Sequence, residues 1–410
     1  MIDLAKIRSA FPMLRNLPKM QGHDLVWLDN SSTTFKPDPV IAAINRYYCE
    51  ETSNSHRGDY DLCYQMDQEV LKTRQAVARF IHSEANEVVF TSGATASLNL
   101  VAFGYALKKL QKGDEILISE EEHASNVLPW FKVAELTGAV IKYVQPEENG
   151  LITPNGVKKA MSERTKIVSL AHVGNVLGYA IDVKEIAKII HSYGAVFSVD
   201  GAQSVPHRKT DVKDLDIDFL SFSGHKMVGP TGIGVLYGKY ELLQDTDAFL
   251  TGGGMNVKFD SDGSKSFLEP PLRFEAGTQN LAGIIGLRAA IEYLESIGMD
   301  EIENREKELK AYAVKKLSET QKVTIYNADS DAGIVAFNIN GVFAQDAATY
   351  LNSLGIACRS GNHCAKMIYH QLKTVATVRA SFYFYTSEEE IDRLAEAVSK
   401  GGNYLDAYFN

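Results

Sequence analysis

Between about residues 85 and 240, short apolar, β-rich runs alternate with helical patterns. The runs are EVVFT (87–91), EILISE (115–120), AVIKYV (139–144), KIVSLA (166–171), AVFSVD (195–200), DFLSFS (218–223) and IGVLYG (233–238). Near-continuous apolar strands separated by helices predict a parallel sheet covered on both faces. The intervening helices agree. Val183, Ile186, Ala187 and Ile190 recur at the spacing of one buried helical face. Only about ten residues separate Ser223 from Ile233, too few for a helical crossover, so IGVLYG is expected to run antiparallel to its neighbour.

After about residue 290 the pattern changes. Charged helices such as IENREKELKAYAVKKL precede a strand candidate, IVAFNI (334–339). A closing helix then opens with a capping box, Ser387 with Glu390, and carries Ile391, Leu394, Ala395 and Val398 on one face. The expectation is an α/β chain in two domains. The large domain, 21–290, holds a mostly parallel seven-stranded sheet. A smaller α+β domain combines 1–20 with 291–410. The stretch TGGGMNVKFDSDGSKS (251–266) reads as a polar, glycine-rich loop with a functional or interface role.

A chain of 410 residues is long enough for two domains. Its net charge of −10 argues against nucleic acid or an anionic membrane as the main partner. No apolar run approaches the roughly 20 residues that span a bilayer. The start, MIDLAKIRSAFPML, does not read as a secretory signal. Cys49, Cys63, Cys358 and Cys364 form neither a disulfide framework nor a paired zinc site. A cytoplasmic protein with reduced thiols and no metal is therefore expected.

In open α/β sheets ligands gather at the carboxyl ends of strands. After EVVFT comes Ser92-Gly93-Ala94-Thr95, either an ordinary helix cap or an anion site. After ILISE comes His123, after KIVSLA comes Asn175, and AVFSVD closes on Asp200 with Gln203 just beyond. After FLSFS come His225 and Lys226, a lysine set among apolar and glycine residues. Each has a plain structural reading. In this order they are the parts that a pyridoxal phosphate site needs. Donors suit the phosphate, a carboxylate suits the ring nitrogen, and an amine suits the aldehyde. A lysine with apolar and cationic neighbours is also more often neutral and nucleophilic.

The segment VDGAQSVPH, followed by SFSGHKMVGPTGIG, resembles the signature of class V, fold-type I pyridoxal-phosphate enzymes. The resemblance implies that Lys226 bonds the aldehyde and Asp200 pairs with the pyridine nitrogen. It implies that His123 stacks on the ring and Gln203 bonds the phenolic oxygen. Thr95, Ser223, His225 and the backbone N–H of Ala94 would hold the phosphate, with Asn175 near cofactor and substrate. RFEAGTQN (273–280) would supply Thr278 to the phosphate of a neighbouring subunit, which implies a homodimer with shared sites.

In ACRSGNHCAK (357–366) a cysteine follows a histidine in a glycine-containing loop, a candidate thiolate nucleophile. A buried inert cysteine is the plain alternative; adjacent His363 and Cys364 would chelate one metal ion poorly. With LDNSSTTFKP (28–37), NSHRG (54–58), EEHASNVLPW (121–130), HVGNVLGY (172–179) and VRASFYFY (378–385), nearly the whole chain resembles the cysteine desulfurase and selenocysteine lyase family of the SUF route to iron–sulfur clusters. The resemblance implies that L-cysteine, or selenocysteine, is the substrate and that Arg379 clamps its carboxylate. Lys226 would be the general base, His123 a proton partner near the ring, and Cys364 the sulfur acceptor, forming a persulfide for an acceptor protein. Arg359, in the nucleophile loop, is a further candidate for substrate contact. Asn362, Lys366 and Ala94 depart from what many relatives carry at those positions. The rival readings are another class V enzyme, an aminotransferase or a kynureninase-type lyase, for which Cys364 would be incidental. A scaffold without chemistry and a redox sensor built on Cys358 and Cys364 are further alternatives.

Overall fold

The computed structural model describes residues 2–55 and 58–400, so His56 and Arg57 of the NSHRG segment lie outside the described residues. Seven strands form the large sheet, in the spatial order Val88–Thr91, Gly234–Gly238, Phe219–Ser223, Val196–Asp200, Thr165–Ala171, Glu115–Ser119 and Val140–Val144. Gly234–Gly238 pairs antiparallel with both of its neighbours, as its short connection predicts. The other inter-strand pairings are parallel.

Period-two alternation divides each strand between two cores. Val88, Phe90, Leu117, Leu220, Phe222 and Val235 enter one cluster. Val89, Ile116, Ile118, Phe219 and Leu236 enter the other. Successive side chains of a strand point to opposite faces, so both faces are dry along the inner strands, which read as continuous apolar runs, while the edge strand Val140–Val144 is largely exposed. Leu281–Ile297 packs on Asp38–Arg46 and Asp61–Ile81 over the first face. Trp130 and Val133, from Leu128–Thr137, cover the second.

A second, four-stranded antiparallel sheet has the order Val323–Ile325, Ile334–Ile339, Thr377–Ser381 and Arg359–Gly361. Its core joins Val335, Phe337 and Val378 to Leu309, Ala313 and Leu317 of Met299–Glu319 and to Ile391 and Leu394 of Glu388–Lys400. The closing helix carries the expected capping box: Ser387 N–H donates to Glu390 Oε2 at 2.8 Å, and Glu390 N–H to Ser387 Oγ at 3.4 Å.

Early residues join both regions. Phe11 packs against Tyr293, Phe384 and Tyr385 in the core of the large sheet. Val26–Trp27 pairs parallel with Ile356–Ala357. One expectation needs correction. Within 251–266 the chain is not a plain loop, because Asn256–Phe259 and Lys265–Phe267 form an antiparallel hairpin. The glycines cluster at its ends and turn, while the β-prone NVKF supplies a strand. Among the described residues, no helix is long and apolar enough to cross a membrane.

Candidate active site

The strand ends converge on one cavity of about 210 Å³. Lys226 and Asp200 line it, with Gln203, His123, Asn175, Ala94, Thr95, Ser223, His225, Arg359 and Arg379. Ten expected residues besides Lys226 therefore gather around one amine. Burial comes first among the causes that push Lys226 down to about 8; Arg379 and Arg359 add to the shift, and Asp200 opposes it.

Asp200 ends its strand, buried, with one carboxylate oxygen accepting from Ala202 N–H at 2.9 Å. Burial raises its pKa, while the Ala202 N–H and the Lys226 ammonium hold it down. Burial lowers His123 to about 4, helped by Lys226, Arg359 and Arg379, so its ring is neutral near pH 7. His123 Nδ1 accepts from Ser125 N–H at 3.1 Å. Gln203 Nε2 donates to the carbonyl of Ser31 at 2.8 Å.

The phosphate end is built by the turn after Thr91. Gly93 has φ +154°, and a Cβ there would meet Ser223 Oγ at 3.3 Å, so the residue must stay small. Ala94 N–H donates to that Ser223 Oγ at 2.8 Å, and Thr95 Oγ1 bonds Ser125 Oγ at 2.8 Å. Hydroxyls and a helix N-terminus make a cradle for a phosphate. The buried Asp200 carboxylate suits a protonated ring nitrogen, and the buried Lys226 amine suits an aldehyde. Asn175 Oδ1 is buried without a partner, a further sign that the cavity is shaped for a polar molecule. These residues fit pyridoxal phosphate.

Arg379 is the most buried cation of the cavity, 1% exposed. Its Nη1 donates to the carbonyl of Asn175 at 2.9 Å, and its Nη2 reaches Asp29 Oδ1 and Ser32 Oγ, each at 3.0 Å. Arg359 Nη1 meets the same Ser32 Oγ at 3.2 Å, and Arg359 Nη2 meets Cys364 Sγ at 3.4 Å. Cys364 is exposed and does not line the cavity itself. Its loop is nevertheless fixed. Asn175 Nδ2 donates to the carbonyl of His363 at 2.7 Å, and Ala124 N–H to the carbonyl of Cys364 at 2.7 Å. His363 and Cys364 both have positive φ, 50° and 59°. Two consecutive left-handed non-glycine residues are uncommon and collect at functional sites.

Thr278 lies apart. It lines a different cavity with Phe249, Leu250 and Gly232, and its hydroxyl accepts from Asn54 Nδ2 at 3.4 Å. Sequence reading passed over Asp29, Ser31, Ser32 and Ser125. The first three fall in LDNSSTTFKP, so the signal was the segment itself rather than any residue type. It also gave no role to Glu122, whose partner Ala171 lines the cavity. Glu122 accepts from Ser119 Oγ, Asn126 Nδ2 and Ala171 N–H at 2.7, 2.7 and 3.1 Å, and burial pushes it up to about 7.

A sheet of this topology with a lysine-centred cavity defines the class, and the family comparison agrees: the chain belongs to the class-V aminotransferase family, whose model matches residues 26–394. Its relatives narrow the class to cysteine desulfurases. A probable cysteine desulfurase of Halalkalibacterium halodurans is 46% identical over 405 residues, which is 98% of this chain and 99% of that one. The apo structure of a cysteine desulfurase from Thermococcus onnurineus NA1 superimposes with a TM-score of 0.92 at 37% identity, covering 98% of both chains. The Escherichia coli cysteine desulfurase CsdA, in an S-sulfonic acid form, gives 0.90 at 35% identity, again over 98% of both.

Proposed function

We propose that the chain is a pyridoxal-phosphate-dependent cysteine desulfurase that moves the sulfur of L-cysteine onto Cys364 and releases L-alanine. One observation carries this reading. Ser32 and Arg359 link the buried Arg379 to Cys364 Sγ through bonds of 3.0, 3.2 and 3.4 Å. A clamp for a carboxylate and a candidate nucleophile therefore share one polar relay at the mouth of the Lys226 cavity. An aminotransferase needs no such thiol.

Lys226, Asp200, His123, Gln203, Ala94, Thr95, Ser223 and His225 would hold the cofactor. Pyridoxal phosphate, when bound, makes the substrate Cα–H acidic by accepting its electron pair. Arg379 orients the substrate carboxylate, a task for which a planar guanidinium surpasses an ammonium. With its value near 8, Lys226 Nζ is partly neutral at neutral pH and takes the Cα proton. The Cys364 thiolate attacks the substrate sulfur. An S–S bond forms, the Cβ–S bond breaks, and the carbon fragment takes up protons to become alanine. His123, held neutral, is a proton partner near the ring.

The selenium analogue is a further substrate of the same pocket. The persulfide sulfur then passes to an acceptor protein for iron–sulfur assembly by the SUF route. Phe249 and Leu250, 49% and 67% exposed beside Thr278, suit contact with a second copy in a homodimer. We take the chain as two units, 21–290 and 1–20 with 291–410. The pairing of Val26–Trp27 and the Asp29–Arg379 ion pair tie the units together. Four free cysteines suit a cytoplasmic setting.

The test is incubation with L-cysteine, then mass measurement of the intact protein and assay of alanine. A gain of one sulfur atom on Cys364 with alanine released is expected. Cys364→Ala should keep the cofactor's visible absorbance and lose sulfide production from cysteine. Full turnover by that variant rules out transfer to Cys364.

A further inference from the structure

The carbonyl of His225 belongs to the peptide bond that leads into Lys226, and donors crowd around it. Thr34 N–H, Thr34 Oγ1, Thr33 Oγ1 and Lys36 Nζ each lie 3.1 Å from this one oxygen. A carbonyl has two lone pairs, so it cannot serve all four fully, and one backbone oxygen rarely draws so many. On the far side of Lys226, Val228 N–H donates to the same Thr34 Oγ1 at 3.0 Å. One hydroxyl thus grips the backbone both before and after Lys226.

The gripped backbone is unusual. Val228 has φ 55°, a left-handed conformation that a β-branched residue adopts only under constraint. Val228 is fully buried, and Thr34 is 2% exposed. Gly224 closes the turn from within by accepting the N–H groups of Met227 and Gly229, both at 3.0 Å. Lys226 therefore leaves the strand Phe219–Ser223 through a short, bent turn. Thr34, almost two hundred residues away in sequence, holds that turn in its bent state.

We propose that Thr34 is a positioning residue for Lys226, its hydroxyl bridging His225 O and Val228 N–H so that the amine is aimed into the cavity. Both functions fall on one oxygen, which donates its proton to His225 and accepts from Val228. Serine can reproduce this bridge. Valine matches threonine in shape and can do neither. The inference rests on the reading that Lys226 bonds the cofactor.

The test uses holoenzyme with Thr34→Val and Thr34→Ser. Borohydride reduction of wild type, followed by peptide mapping, first locates the cofactor. A tag on another residue defeats the reading of Lys226 itself, separately from Thr34. With the tag on Lys226, Thr34→Val is expected to release cofactor about tenfold faster on dialysis, the scale of one lost buried hydrogen bond. The pH midpoint of its visible absorbance should also move by about half a unit or more. Thr34→Ser should match wild type in both. A Thr34→Val protein with wild-type release and midpoint overturns the proposal, as does a Thr34→Ser protein that behaves like Thr34→Val. Should Thr34→Val fail to fold, hydrogen exchange decides on wild type and Thr34→Ser. The Val228 amide must be strongly protected in both; fast exchange in either overturns the proposal.

Discussion

Burial outweighs the carboxylates near Lys226: it brings the amine down from an ordinary 10.5 to about 8, while Asp200 and Asp29 oppose the shift. Because the folded value lies below the unfolded one, this group's contribution to stability is present above pH 10.5 and lost as pH falls through 8. At pH 7 the cofactor-free protein therefore carries the cost of a buried ammonium. Lys226→Met is expected to raise the melting temperature of cofactor-free protein by about 1–3 °C while abolishing turnover. Scanning calorimetry checks this, and an unchanged or lower melting point contradicts it. Arg379 lends itself to a second test. An ammonium cannot reproduce its fork of bonds to Asn175, Asp29 and Ser32, so Arg379→Lys should raise KM for L-cysteine about 10- to 100-fold. A KM within twofold of wild type argues against the clamp. Lys226, Asp200 and Arg379 were legible in the sequence because each stands in a recognisable segment, the first two at strand ends and Arg379 within Thr377–Ser381. Ser32 and Asp29 were not, since their roles arise only when residues some 350 positions apart meet at Arg379.

Strands and helices read clearly where burial imposed a period. The alternation in Val88–Thr91 and Phe219–Ser223 splits cleanly between two cores. The hairpin at 256–267 was missed because both of its strands are short and largely exposed, and the alternation in Asn256–Phe259 spans only four residues within a polar, glycine-rich stretch. Pairings between elements were illegible as well. Arg74, on Asp61–Ile81, forms a buried bidentate pair with Glu275, with bonds of 2.8 and 2.7 Å. Glu275 Oε1 also accepts Phe90 N–H at 2.9 Å. One carboxylate thus pins a helix and a sheet strand to the segment that leads to Thr278. Glu275→Gln leaves Arg74 buried beside a neutral amide, and should cost about 3–5 kcal/mol in denaturant unfolding. The double replacement Arg74→Met with Glu275→Leu should recover part of that loss, because it removes both charges. A single variant within about 1 kcal/mol of wild type shows that the pair is not holding these elements.

Across the whole molecule, two sets of buried groups oppose each other in their response to pH. Burial lowers His123 and His225 to about 4, His172 to about 3 and His363 to about 2. Below an ordinary 6.5 the unfolded chain binds protons that these rings refuse, so their contribution is lost on acidification. Glu122 at about 7, with Glu121, Asp200 and Glu306, is shifted upward by burial. Between its unfolded and folded values, each such carboxyl holds a proton that the unfolded chain has released. Their contribution is present at low pH and lost as pH rises through the folded values. Between pH 4.5 and 6.5 the two sets act in opposite directions, and Glu122, at about 7, offsets one of the histidines. Below pH 4.5 the histidines are joined by carboxylates held low by ion pairs, such as Asp218 beside His191 and Lys239. Stability should then fall by about 1.4 kcal/mol per pH unit for each net proton. Denaturant midpoints of cofactor-free protein from pH 3.5 to 8 give the profile directly. Glu122→Gln removes one opposing carboxyl and keeps a neutral side chain of the same shape. In that variant the decline on acidification between pH 6.5 and 4.5 should be steeper than in wild type by about 1.4 kcal/mol per pH unit. The same slope in both proteins over that range shows that Glu122 is already ionised in the folded state.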